Sequence, residues 1–157
     1  MNYKAQIMIP SFSGEEAAYM ERAVAKGEIA TKGENSEEFK KLLLDYTKAS
    51  YGLLCCNGTA AIHLALKAVG VSEGDFVFCP TFTYCGTAYP ILYERAVPVF
   101  IDCTPHGTLD PVALSIALEK YKNNLPKAVI IVDTYGAPAD YDEIFSVLDG
   151  YNIPVFV

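Results

Sequence analysis

The sequence is poor in positive charge: 12 Lys and Arg stand against 19 Asp and Glu, a formal net charge of −7 over 157 residues. Binding a phosphate backbone requires a basic face, so nucleic acid is excluded as the main partner. Only two histidines occur, His63 and His106, and the five cysteines form no Cys-x-x-Cys pair. Zinc-type ligand spacing is therefore absent and no metal is expected. No apolar run reaches the roughly eighteen residues that a membrane helix needs. The opening Met1-Asn2-Tyr3-Lys4-Ala5-Gln6 lacks the basic and apolar regions of a secretory signal, which makes a cytoplasmic protein the expectation. What the sequence does hold is a hydrophobic content of 52%, ample for the core of one domain. The acids fall in helix-like stretches such as Glu34-Asn35-Ser36-Glu37-Glu38 and read as a solvated surface. Cys55, Cys56, Cys79, Cys85 and Cys103 read as small buried thiols in a reducing compartment.

Five short apolar runs have strand character: Leu53 to Cys56, Phe76 to Cys79, Val97 to Ile101, Ala128 to Val132 and Pro154 to Val157. They are unbroken rather than alternating, which suits strands covered on both faces. Helical patterns lie between them, at Thr59 to Val69 (ended by Gly70), after Asp110-Pro111, and from Asp140 to Asp149. A weaker segment, Thr83 to Glu94, is interrupted by Gly86 and Pro90. Alternation of this kind predicts an α/β fold with a mostly parallel sheet flanked by helices. Two further helices, Glu15 to Lys26 and Ser36 to Tyr46, precede the first strand and are joined by the glycine-rich Gly27 to Gly33. The expected organisation is an N-terminal helical arm over residues 1–50 and an incomplete α/β domain over 51–157. Because the last run ends at Val157 where a crossover helix should follow, the chain reads as cut off within its architecture.

Chemistry is most legible in Leu53-Leu54-Cys55-Cys56-Asn57-Gly58-Thr59-Ala60-Ala61, a strand passing through a tight turn into a helix. Gly58 permits close approach to a ligand, and Thr59 can cap the helix and donate its hydroxyl. Free amides at a helix start form a site for phosphate, although an ordinary capped turn would look the same. Cys79-Pro80-Thr81-Phe82-Thr83-Tyr84 follows the next strand and should open on the same carboxyl edge. An aromatic there can stack on a planar ring; the alternative is that Phe82 and Tyr84 pack the helix on the sheet, and for Phe82 packing is preferred. Asp102 and Asp133 each end a strand and can serve a ribose, a pyridinium nitrogen or merely a turn. His63 and His106 have no acidic partner at an obvious spacing, so no triad is expected. A nicotinamide-dinucleotide site using Asp102 would lack its glycine fingerprint.

Together these stretches resemble the DegT/DnrJ/EryC1/StrS family of sugar aminotransferases, in the fold type I group. The landmarks run from Asn57-Gly58-Thr59-Ala60-Ala61-Ile62-His63-Leu64 through Gly70-Val71-Ser72-Glu73-Gly74-Asp75 and Pro80-Thr81-Phe82-Thr83-Tyr84. They continue with Pro98-Val99-Phe100-Ile101-Asp102, Leu125-Pro126-Lys127-Ala128-Val129 and Tyr135-Gly136-Ala137-Pro138-Ala139-Asp140. The resemblance implies pyridoxal 5'-phosphate as cofactor, with Gly58, Thr59 and Ala60 at its phosphate and Tyr84 on its ring. It also implies a nucleotide-linked keto-sugar substrate, an amino-acid donor and homo-oligomers. Gly27 to Gly33 matches a segment that the family places near the dimer interface and sugar site. There the sequence departs, with Glu28 where the family usually carries a tryptophan.

By the same resemblance, the Schiff-base lysine, the aspartate that pairs with the pyridine nitrogen and the small carboxyl-terminal domain lie past Val157. Lys67, Lys120, Lys122 and Lys127 do not align with that lysine, so no catalytic residue is assigned and transamination by this chain alone is expected to fail. A non-catalytic remnant or interaction partner of the same fold is the alternative. The uncovered sheet is expected to favour association through its exposed surface.

Overall fold

The computed structural model describes residues 10–30 and 33–157, so Thr31 and Lys32 of the glycine-rich connector lie outside the described residues. The chain divides into two compact units at Leu54/Cys55. In the first, α1 (Glu16–Ala25) and α2 (Glu34–Thr47) are the two expected helices. Lys48 stops α2 by turning left-handed, with φ 57°.

The second unit holds a parallel sheet of β1 (Phe76–Pro80), β2 (Val97–Ile101), β3 (Ala128–Ile130) and β4 (Val155–Phe156), ordered β2-β1-β3-β4. Phe78 stands beside Val99 on one side and Val129 on the other, which fixes the register. Side chains alternate along a strand, so β1 supplies two cores. Val77 and Cys79 join Ala128 and Ile130 under Leu66 of α3 (Gly58–Ala68) and Ile91 of α4 (Tyr89–Tyr93). Phe78 joins Val129 and Ile131 under α5 (Pro111–Lys120) and α6 (Tyr141–Leu148), which contribute Leu114, Leu118, Ile144 and Leu148. α5 and α6 meet the sheet through residues four apart, Leu114/Leu118 and Ile144/Leu148, the spacing that aligns one helical face. Fully burying such a side chain stabilises the fold by about 1.5–3 kcal/mol.

The helix starts follow from their caps. Asp110 Oδ1 accepts the Val112 N–H at 2.8 Å with Pro111 in the first turn, and Asp140 Oδ1 accepts the Glu143 N–H at 3.0 Å. Among the described residues no helix is long and apolar enough to cross a membrane.

Two expectations are corrected. Leu53 to Cys56 forms no strand: the segment is irregular and Leu53 is exposed. A strand exists only where a neighbour supplies hydrogen bonds, and among the described residues none lies beside it. The second correction concerns coverage. β1 and β3 are buried on both faces, but β2 is an edge strand whose Val97 and Phe100 are exposed. The weak helical segment shrinks to Tyr89–Tyr93, with turns from Cys85 to Ala88 filling the stretch that Gly86 interrupts.

Candidate cofactor-binding site

The order β2-β1-β3-β4 contains a topological switch point. The connection leaving β1 crosses the face covered by α3 and α4, whereas that leaving β3 crosses the opposite face under α6. Adjacent parallel strands whose connections part in this way open a crevice at their carboxyl ends, where ligands of open α/β sheets bind. Three loops meet there. Thr134 Oγ1 donates to the Phe82 carbonyl at 3.1 Å, tying the loop after β3 to the loop after β1. The Phe82 N–H and the Thr81 hydroxyl donate to Cys103 Sγ at 3.4 and 3.5 Å, tying in the loop after β2.

The start of α3 lies beside this region. Asn57 is extended at φ −164°, and its Oδ1 accepts the Ala60 N–H at 2.8 Å. That bond caps the helix and occupies the Ala60 amide. The Gly58 and Thr59 amides meet no acceptor among the described residues and stand at the positive end of an eleven-residue helix. A Cβ built at Gly58 would meet nothing within 4 Å, so the approach to these amides is open.

A cleft of about 400 Å³ runs from this turn between α3 and the segment leading into α4, lined by Asn57, Thr59, Ala60, His63, Tyr84, Gly86 and the tyrosines of α4. Gly86 sets its width. A Cβ at Gly86 would lie 2.7 Å from Thr59 Oγ1 and 3.0 Å from Tyr84 Cδ1, so only glycine lets the Tyr84 loop sit this close to the turn. Sequence reasoning saw Gly86 only as a helix breaker. Tyr84 is 79% exposed, an open ring face at the mouth of the cleft. Thr59, Ala60 and Tyr84 thus line one cleft, with Gly58 preceding Thr59 at the start of α3.

His63 acquires a partner that the sequence did not disclose. Its Nε2 lies 2.5 Å from Glu94 Oε1, while Lys67 Nζ donates to Glu94 Oε2 at 2.8 Å. These bonds, first that of Lys67 and then that of His63, hold the Glu94 carboxyl below the usual carboxylate range. The His63 ring stands edge-on to Tyr93 at 5.4 Å. Glu94 thereby clasps α3 to the end of α4 at the His63 end of the cleft. Thirty-one residues separate the pair.

The remaining candidates serve local structure. Asp133 Oδ1 accepts the Ala139 N–H at 3.0 Å and Oδ2 accepts the Tyr141 hydroxyl at 2.8 Å. Burial and this bond push Tyr141 up to about 12. Asp102 accepts its neighbour Cys103's N–H at 2.8 Å. Phe82 is half-exposed and lies over Gly107, where a Cβ would lie 2.8 Å from its ring, a contact between loops in place of the expected packing of helix on sheet. Cys79 is buried, and burial pushes its thiol up to about 12, which leaves it inert. The other cysteines differ from expectation: Cys55, Cys56 and Cys85 are exposed because they lie in the turns flanking the sheet. His106 is exposed in a turn, and among the described residues no group of three His, Cys, Asp or Glu is placed to hold a metal. In the N-terminal unit, Glu28 Oε2 accepts the Glu34 N–H at 2.8 Å, so the residue at the tryptophan position acts as a cap for α2.

The parallel sheet with helices on both faces and a crevice at its carboxyl edge matches part of the solved fold type I aminotransferases. An aminotransferase from Psychrobacter cryohalolentis superposes with a TM-score of 0.83 at 26% identity, covering 93% of this chain and 36% of that one. A DegT DnrJ EryC1 StrS aminotransferase from Brucella abortus superposes at 0.78 with 31% identity, covering 88% of this chain and 38% of its own. The family model of the DegT/DnrJ/EryC1/StrS aminotransferases matches residues 10–157, and the chain belongs to that family.

Curated relatives include EpsN of Bacillus subtilis (strain 168), provisionally named a pyridoxal phosphate-dependent aminotransferase, which is 46% identical over 99% of this chain and 41% of its own. GDP-perosamine synthase of Escherichia coli O157:H7 is 32% identical over 92% of this chain and 39% of its own. The chain therefore spans about two fifths of the length of these relatives.

Proposed function

We propose that this chain is the cofactor-phosphate-binding part of a pyridoxal-phosphate-dependent aminotransferase that acts on nucleotide-linked keto-sugars in polysaccharide or glycan biosynthesis. The observation that carries the reading is the pair of amides, Gly58 and Thr59, that meet no acceptor among the described residues, at the start of α3 beside the cleft lined by the exposed Tyr84. The residues fit the cofactor. A phosphate dianion suits two free N–H groups, a threonine hydroxyl and the positive end of a helix. A pyridine ring suits the tyrosine face. Gly58 and Thr59 would hold the phosphate and Tyr84 would lie against the ring, while Ala60 contributes a small side chain and its amide serves the Asn57 cap. When bound, the cofactor supplies an electron sink for amino-group transfer.

No lysine and no carboxylate lies among the described residues lining the cleft. Lys67, the lysine nearest in sequence on α3, is committed to Glu94. The chain therefore binds and orients the cofactor without forming the covalent link, and alone it does not transaminate. The nucleotide-sugar substrate follows from relatives such as GDP-perosamine synthase and a UDP-2-acetamido-2-deoxy-3-oxo-D-glucuronate aminotransferase of Pseudomonas aeruginosa. An amino-acid donor, association between copies and a cytoplasmic location belong to the same reading.

The test is absorbance titration of the purified chain with pyridoxal phosphate, competition by inorganic phosphate, then borohydride reduction and intact mass. Saturable, phosphate-competed binding with no stoichiometric adduct is expected. Absence of saturable binding would remove the cofactor assignment, and quantitative labelling of one lysine would overturn the claim of inactivity.

A further inference from the structure

His63, Glu94 and Lys67 form a cluster at the cleft that the proposed cofactor contacts leave unused. Thr59 and His63 stand four residues apart on α3, hence on one helical face, and both line the cleft. The imidazole thus lies about 6 Å further along the helix axis than Thr59. Glu94 approaches from the end of α4, and its side chain is only 11% exposed, so the cluster is held in place rather than loosely solvated.

The charges of the cluster do not cancel in both protonation states. An ionised carboxylate is an acceptor only, so the neutral His63 ring, 2.5 Å from Glu94 Oε1, carries its proton on Nε2 and leaves Nδ1 as the atom that titrates. Lys67 already balances Glu94 through its 2.8 Å bond to Oε2. The three side chains therefore sum to zero with a neutral ring and to one positive charge with a protonated one. The other groups that face the ring are Tyr93 of α4, edge-on at 5.4 Å, and Tyr84, Cys85 and Tyr89 along the cleft, none of which supplies a compensating formal charge. Arg95, next in the chain, pairs instead with Glu73 at 3.5 Å.

We propose that His63 makes the anion site at the start of α3 proton-linked: a proton taken up at Nδ1 strengthens the binding of a dianion at the Gly58 and Thr59 amides, and the bound dianion draws that proton in. This inference rests on the reading of those amides as the phosphate site. Imidazole is the side chain whose charge ordinarily changes between pH 5 and 8. One unit charge about 10 Å from a dianion, across a water-filled cleft at low ionic strength, changes the affinity about threefold. The coupling is reciprocal, so the dianion moves the His63 titration midpoint up by about half a pH unit. Affinity for the dianion accordingly falls as pH rises through that midpoint.

The test is sulfate titration of the intact chain at low ionic strength, followed at the Gly58 and Thr59 amide resonances at about pH 5.5 and about pH 8, the two sides of the imidazole range. Sulfate is the probe because it stays doubly charged throughout, whereas a phosphate group titrates in the same range. Wild type should bind sulfate about three times more tightly at the lower pH. His63→Gln keeps a donor for Glu94 but cannot titrate, so its affinity should be nearly the same at both. Saturating sulfate should raise the wild-type His63 imidazole midpoint by about half a pH unit. Glu94→Gln leaves Lys67 unbalanced and should bind sulfate at least as tightly as wild type at the higher pH.

Equal pH dependence in wild type and His63→Gln, or a His63 midpoint that sulfate does not move, would overturn the proposal and leave the cofactor reading standing. Weaker sulfate binding by Glu94→Gln at both pH values would do the same, because the cluster would then act only by clasping α3 to α4. No sulfate-induced shift at Gly58 and Thr59 at either pH would overturn the proposal together with the phosphate assignment beneath it, so the two failures are separately visible.

Discussion

Replacing Gly86 by alanine tests whether the Tyr84 loop and the α3 turn form one site. Gly86 is buried and has no left-handed φ, so alanine is acceptable to the backbone and would by itself add about 0.4–1 kcal/mol through the unfolded state. Against this, the new Cβ would sit 2.7 Å from Thr59 Oγ1 and 3.0 Å from the Tyr84 ring, contacts that side chains do not sustain. Overpacking of this kind costs about 1–3 kcal/mol and exceeds the entropic gain.

Two responses are open, and each has a signature. If Thr59 rotates, its hydroxyl leaves the phosphate position and a hydrogen bond to a charged group worth about 1.5–3 kcal/mol is lost. If the loop retreats, Tyr84 leaves the turn and stability falls. Gly86→Ala should thus lower stability by about 1–2 kcal/mol in urea denaturation, or weaken pyridoxal phosphate binding by a factor of about 10–150, or both. Adding Thr59→Ala removes the 2.7 Å clash and should recover part of the lost stability without restoring affinity. A Gly86→Ala chain that matches wild type in both stability and affinity would refute the reasoning, because the cleft would then have slack where the structure shows none.

Further outcomes follow from the same contacts. Asn57→Ala deletes the cap on the Ala60 amide and should cost about 1 kcal/mol in urea denaturation. Phe78→Ala empties a fully buried position between α5 and α6 and should cost about 3–5 kcal/mol, enough to unfold a marginal domain by circular dichroism. Glu94 is held below the usual carboxylate range, so its contribution is fully present above its unfolded value and is lost as pH falls through the folded one. Urea midpoints measured from pH 7 downward should therefore fall, and Glu94→Gln should flatten the part of that slope that Glu94 supplies.

Much of the architecture was legible because the signals are local. Phe76 to Cys79, Val97 to Ile101 and Ala128 to Val132 are apolar runs bounded by turn residues, and all three became strands. Asp110 announced its helix through a side chain that does cap it, whereas at α3 the cap expected of Thr59 is made by Asn57 two residues earlier. Leu53 to Cys56 has the same local signal and is not a strand, because pairing depends on a neighbour that no local run encodes.

The site divides along the same line. The α3 turn and Tyr84 could be marked from strand-turn-helix order alone. Gly86 could not, since its role is a distance to Thr59 across 27 positions. The His63–Glu94 pair and the left-handed Tyr135 were equally hidden. One is a contact between helices, and the other is a tight turn in which Tyr135 and Gly136 are both left-handed and the Ala137 N–H donates to the Thr134 carbonyl.

The central claim is that the first amides of α3 hold the cofactor phosphate, and backbone amide NMR of the intact chain tests it most directly. Titration with inorganic phosphate and then with pyridoxal phosphate should move the Gly58 and Thr59 N–H resonances most, in a saturable way, with Gly86 following only when the ring is present. Saturable shifts centred elsewhere, or none at Gly58 and Thr59, would contradict it.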